Sequence, residues 1–228
     1  MSNELNVMPR EMRMMSERVF SLTSLPKGFA LSLSDLPMYS QMQGLGGLAL
    51  LERRHRALLA ADAGALRIAA ENGATVSLDA AGQHSWVALP SALDLLAELC
   101  ARLGHAEVTV QGAVDDQELA LATGLGLRLG LAVTLVSSGV LAATPCPCSD
   151  PVLDRALRDG ALIDADLWWR IYALAQTALA PDTPVSRRHA GVIIVTEDGT
   201  VIGRKDNDDD SDMSLLVRAR VDAEGTTT

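Results

Sequence analysis

The chain has 228 residues, enough for one large domain or for a domain with an extension. Hydrophobic residues make up 48% and aromatic residues only 3%, which excludes wholesale disorder and predicts a core of Ala, Leu and Val in many close contacts. A formal net charge of −10 disfavours nucleic-acid phosphates, whose binding needs Lys and Arg to displace counterions; the few aromatics also leave little for bases to stack on.

The first 20 residues hold five of the eight methionines. Met8, Met12, Met15 and Val19 fall on one helical stripe, with Pro9 in the first turn and Arg10, Arg13 and Arg18 mostly off it. Such a stripe packs on its own domain or docks on a partner through adaptable methionines. Residues 1–20 are read as a Met-rich helical arm, 21–222 as a single domain and 223–228 as a frayed tail. "VFSLTS" and "FALSLS" alternate around "LPKG" and read as two short strands and a turn. A helix over 48–62 follows.

Residues 65–89 predict a three-stranded antiparallel meander, with Asn72-Gly73 as the first turn and "HSWVAL" as the third strand. Ser91 then caps a helix, Asp94 takes the capping-box place and Gly104 ends it. "EVTVQG" is a strand, "DDQELALATGLGL" a helix with acids at its positive end, and "LAVTLV" another strand. The apolar run 119–136 is not a membrane span: Arg128 sits near its middle, at a cost of about 2.5–3.5 kcal/mol in a bilayer. A rigid loop over 142–151 leads to helices at 151–159 and 165–179, the second capped by Asp164 and apolar on most faces, hence largely buried. "VIIVTEDGTVIG" is a hairpin around Asp198-Gly199, and "MSLLVRARV" a last strand. The fold class is α+β, or mixed α/β: an antiparallel-rich sheet with several packed helices and a β-α-β-α-β stretch in the middle. Three cysteines, one left over from any pairing, fit a reducing compartment. The opening residues lack a signal peptide's apolar core, so the expected location is cytoplasmic.

Two loops carry the chemistry. Asp206, Asp208, Asp210 and Asp212 alternate as do ligands 1, 3, 5 and 7 of a calcium loop, and hard cations such as Ca or Mg take such oxygens. Ser211 stands where that loop needs glycine and Val217 where it needs a bidentate glutamate, so a hydrated loop is the other reading. In "SRRHAG", Arg187 and Arg188 can grip a carboxylate or phosphate bidentately. Ser186 can donate a hydrogen bond to the same ligand, and His189 can move a proton near neutral pH. The arginines can instead pair with Asp182, Glu197 or the aspartate run. Cys146-Pro147-Cys148 offers two of the four ligands that zinc needs. His55 reads as lying on a solvated helix face, and His84 and His105 flank strands with no evident partner.

The segment "LIDADLWWRIYALAQTALAPDTPVSRRHAG", with Asp206-Asn207-Asp208, resembles a proteobacterial family known as a domain of unknown function. Asp164, Trp168, Ser186, Arg187, Gly191 and Asp206 to Asp208 carry the match, over about a quarter of the chain. Where that family has a glycine-rich stretch this chain has "VIIVTEDGTVIG", and the family's helical opening is absent. The resemblance implies a shared fold and a bacterial metabolic setting, and that 186–191 and 206–208 act together. The expected function is that of a small-molecule metabolic enzyme, or a subunit of one, binding a polar anionic metabolite, with His189 as acid or base. The alternative is a non-catalytic accessory subunit that docks on a partner protein through its N-terminal helix. Self-association into a homo-oligomer fits either; neither nucleic acid nor a membrane is an expected partner.

Overall fold

A computed structural model describes residues 3–179, together with the backbone of two short strands at 194–195 and 201–202. The chain divides into two units, Met1–Leu179 and Ala180–Thr228. The segment 21–222, expected as a single domain, spans parts of both units.

In the first unit, β1 (Glu4–Val7) leads into α1 (Pro9–Phe20), α2 (Lys27–Ser32), α3 (Leu36–Met42) and α4 (Gly47–Leu59). The residues read as an arm belong to the body of the unit. β1 pairs antiparallel with β7 (Ala161–Asp164), Val7 opposite Ala161. Met12, Met15 and Val19 are buried, and α1 packs on α3, α4 and α8 (Ala165–Gln176). Three of the four stripe residues are core and cannot serve as a docking face without unfolding, while Met8 is exposed. "VFSLTS" and "FALSLS" form helix and turn rather than strand: α1 runs through Phe20 before a turn, and "FALS" closes α2. Phe20, Leu25, Ala30 and Leu33 are buried there, and their packing overrides the local alternation.

β2 (Arg67–Asn72) and β3 (Thr75–Asp79) form the expected hairpin. Its turn is Gly73-Ala74, one residue later than expected, with Gly73 at φ 59°. The predicted third strand is instead the first turn of α5 (Ser85–Leu103). His84 caps that helix by accepting the Trp86 N–H at Nδ1 (3.1 Å). Trp86, Val87 and Leu89 are buried at helical spacing, and Pro90 sits inside the helix. Gly104 ends α5 at φ 78°, as predicted.

α5 returns the chain to β4 (Ala106–Gln111), which pairs parallel with β3. The acidic segment then forms a 3-10 turn (Asp116–Leu121) and α6 (Ala122–Arg128). β5 (Leu131–Ser137) and β6 (Val140–Pro145) follow, the latter running into the predicted loop. The five strands are ordered β2-β3-β4-β6-β5, with β3-β4 the one parallel pair. This is an α+β fold. Val76, Leu78, Val108, Leu131, Val133 and Leu141 are buried, while the alternate residues lie open or half-open, as antiparallel strands covered on one face require.

α7 (Pro151–Asp159) and α8 match their predicted positions. α8 is not largely buried: Trp168, Ile171 and Ala175 face inward, but Trp169 is 57% exposed and stacks edge-on against Tyr172. In the second unit, β8 (Ile194–Val195) pairs antiparallel with β9 (Val201–Ile202). This is the hairpin expected around Asp198-Gly199. Among the described residues, no helix is long and apolar enough to cross a membrane.

Candidate functional site

The parallel pair β3-β4 ends in two loops that lie side by side. The ladder continues past the strands: Ala80 N–H donates to Gln111, Gly82 N–H to Gly112, and Ser85 N–H to Val114. The carboxyl ends of parallel strands are where α/β folds commonly place ligands. Here that corner holds His84, from the loop after β3, and Asp115, from the loop after β4. Arg54 of α4 meets them.

Asp115 has a left-handed backbone, φ 56° and ψ 51°. That conformation is uncommon without glycine, and such residues cluster at functional sites. Its carboxylate takes both ends of the Arg54 fork, Nε to Oδ2 at 2.7 Å and Nη2 to Oδ1 at 3.0 Å. Arg54 holds the Asp115 carboxyl below the usual carboxylate range. Since His84 Nδ1 accepts from Trp86, the ring proton sits on Nε2. Nε2 lies 3.1 Å from Asp115 Oδ2, but obliquely, so it makes no well-formed hydrogen bond. Burial brings the His84 pKa down to about 4 despite the neighbouring carboxylate. The imidazole is therefore neutral at pH 7, with one nitrogen committed to the helix cap.

Behind this corner lies a carboxyl that is 1% exposed, Glu118. Trp86 Nε1 donates to its Oε2 (2.8 Å), and Ser40 Oγ donates to its Oε1 (3.2 Å). Burial pushes its pKa up, while the two donors pull the other way. Ser85 Oγ lies 2.8 Å from the carbonyl oxygens of both Val114 and Asp115, shares its one proton between them, and fixes the loop to the start of α5. Arg53 is exposed beside Arg54, and its charge lowers the proton affinity of both His84 and Glu118.

A second polar cluster has a different character. Arg128 lies near two carboxylates, Asp35 (3.2 Å) and Asp150 (3.5 Å), and its guanidinium sits 5.6 Å from the Tyr39 ring centre. Tyr39 donates to Asp150, which also caps α7 through Leu153 N–H. Burial, then Asp150, pushes the Tyr39 phenol well up. A pocket of about 200 Å³ opens beside Asp35, Leu89, Leu93, Leu125 and Arg128. Its one guanidinium already faces two carboxylates, which disfavours an anion there. This cluster pins α3, α6 and α7 together.

The residues predicted from sequence to carry function, Ser186, Arg187, Arg188, His189, Asp206, Asp208 and Asp210, lie outside the described residues. Cys100 is buried, with Sγ 3.4 Å from the Ala143 carbonyl oxygen. Among the described residues, no group of three His, Cys, Asp or Glu side chains could hold a metal. Sequence reasoning missed the corner. His84 shows no partner in the sequence because Asp115 and Arg54 lie 31 and 30 residues away. The nearest available signal is the Asp115-Asp116 pair, a few residues after a strand.

No protein-family model matches the chain, and no curated protein sequence matches it. Malate dehydrogenase from Entamoeba histolytica is similar over 57% of this chain and 37% of its own, at 14% identity and TM-score 0.42. Sulfolactate dehydrogenase from Methanocaldococcus jannaschii is similar over 53% and 38%, at 16% identity and TM-score 0.41. Malate dehydrogenase from Pyrococcus horikoshii is similar over 77% and 66%, at 12% identity and TM-score 0.44. The chain thus spans from about a third to 66% of the length of these enzymes. At such scores the likeness carries no argument about function.

Proposed function

We propose that the chain is a small-molecule metabolic enzyme, or a subunit of one, that binds a polar anionic ligand. One observation carries this reading. Arg54, His84 and Asp115 converge where the parallel strands β3 and β4 end, on a loop with a left-handed aspartate. A purely solvated loop has no need of that arrangement. Arg53 and Arg54 supply positive charge for the ligand.

The sequence adds a second set of groups. Arg187 and Arg188 would hold a carboxylate or phosphate, with Ser186 as a donor and His189 as acid or base. Asp206, Asp208 and Asp210 would hold a divalent cation such as Ca or Mg. The resemblance of the C-terminal segment to a bacterial family agrees with a metabolic setting.

The test is a thermal melt with succinate, phosphate or sulfate, each against sodium chloride at equal ionic strength. Ligand at a hundred times Kd adds about 2.7 kcal/mol, which is a shift of several degrees. A shift lost in Arg54→Ala locates the ligand at the β3-β4 corner. A shift lost in Arg187→Ala/Arg188→Ala locates it at the second set. No shift with any of the three anions sinks the reading.

A further inference from the structure

Arg54 is 38% exposed at its side chain, yet the Nε–Nη2 edge of its guanidinium is taken by a carboxylate that is only 11% exposed. The pairing is internal and bidentate. It is the geometry in which an arginine binds a ligand carboxylate. Asp115 reaches it from a left-handed backbone. The same carboxylate also stands 3.1 Å from His84 Nε2, too oblique for a good bond. Asp115 therefore serves two donors, one well and one badly.

We propose that Arg54 is a binding site for a small carboxylate anion, and that Asp115 occupies it as an internal stand-in which the ligand displaces. This deepens the anionic-ligand reading and rests on it. The displaced side chain has somewhere to go. Freed from the guanidinium, Asp115 can turn onto the His84 Nε2–H and complete the bond that is now bent. The positive charges of Arg53 and Arg54 then face the ligand. The exchange replaces one charge-assisted pair with another and leaves no carboxylate stranded, so it needs little net energy. The neighbouring contacts hold the frame while it happens. Ser85 Oγ fixes the carbonyls of Val114 and Asp115, and Trp86 stays locked to Glu118.

Isothermal titration with succinate tests this, using chloride at equal ionic strength as the control. The proteins are the wild-type chain, Asp115→Asn and Asp115→Asn/Arg54→Gln. Asparagine tolerates a left-handed backbone, so the loop keeps its shape while Arg54 loses its internal partner. Asp115→Asn should bind succinate about tenfold more tightly, the factor that about 1.4 kcal/mol of lost competition represents. The double variant should lose that gain. Asp115→Gly provides the same release if the asparagine variant does not fold, and glycine suits the backbone better.

Affinity no higher than wild type in a folded Asp115 variant overturns the proposal, and so does a gain that survives loss of Arg54. A gain with phosphate but not succinate overturns the carboxylate assignment. Wild-type binding that Asp115→Asn fails to strengthen leaves the anionic-ligand reading standing while the stand-in falls. Tight binding by the variant alone also overturns the proposal, because a ligand that the native chain does not bind never displaces Asp115.

Discussion

His84 Nε2 stands 3.1 Å from Asp115 Oδ2, in a contact that is close without being well aligned. Arg54 explains the misalignment, because it draws the same oxygen to 2.7 Å along its own fork. The imidazole therefore stays neutral, buried and only weakly supported by its carboxylate. Its other nitrogen caps α5.

Acid should destabilise the protein through His84. Its folded pKa is about 4, against about 6.5 in an unfolded chain. Between these values the unfolded state takes up the proton and the folded state does not. Stability is thus full above pH 6.5 and is lost as pH falls toward 4, by about 3 kcal/mol at roughly 1.4 kcal/mol per unit of pKa. Glu118 acts in the opposite sense, since its raised pKa gives stability that is lost as pH rises. Urea melts of wild type and His84→Asn, from pH 7 to pH 4, isolate the histidine. Asparagine can still cap the helix but does not titrate, so its stability should fall less steeply. Parallel curves would count against this account.

Glu118 should tolerate loss of charge and not loss of its side chain. Glu118→Gln keeps an oxygen for Trp86 Nε1 or Ser40 Oγ and removes a carboxyl that burial already disfavours in its charged form. Its stability should stay within about 1 kcal/mol of wild type. Glu118→Ala leaves the buried indole N–H without an acceptor and opens a cavity, at about 2–4 kcal/mol. Denaturant midpoints at constant slope check both values. Equal costs for the two variants would mean that the charge matters and that neither the side-chain volume nor the acceptor does.

Gly47 should resist substitution for want of space. A Cβ there would run into the Pro37 carbonyl and come within 2.6 Å of Ser40 Cβ. Gly47→Ala should cost about 1–3 kcal/mol, as overpacking does, although alanine is the better helix former. A rise in melting temperature would show that α3 and α4 lie farther apart.

The N-terminal residues should be indispensable to the fold. Met12, Met15 and Val19 are buried, and β1 pairs with β7. Met12→Ala should cost about 2–5 kcal/mol, and removal of residues 1–18 should abolish cooperative unfolding. A truncated chain with an unchanged melt would restore these residues as a separable arm.

Much of the fold is legible locally. The hairpin at Gly73, the end of α5 at Gly104 and the cap at Asp164 all rest on near neighbours in sequence. The misreadings have a shared cause. "HSWVAL" and "VFSLTS" alternate like strands, but Trp86 and Phe20 meet edge-to-face at 6.3 Å in a common core. That contact links segments 66 residues apart, and helix places it where strand would not. β1 and β7, four residues each, carry no pattern until they pair. The corner is illegible for the same reason. An arginine on α4, a histidine before α5 and an aspartate after β4 look ordinary one at a time. The paired β3 and β4 bring their loops together.

The cation expectation has its own measurement. Melts in EDTA, calcium and magnesium, repeated with Asp206→Asn/Asp208→Asn/Asp210→Asn, should show a shift of several degrees that the triple variant lacks. Identical melts in all three media would make the aspartate run a hydrated loop.

The most direct test of the central claim is a crystal structure of the protein grown with succinate, compared with one grown in chloride. A succinate carboxylate should lie within hydrogen-bond distance of the Arg54 guanidinium, with Asp115 turned onto His84 Nε2. Asp115 still forked on Arg54 under saturating succinate would contradict it.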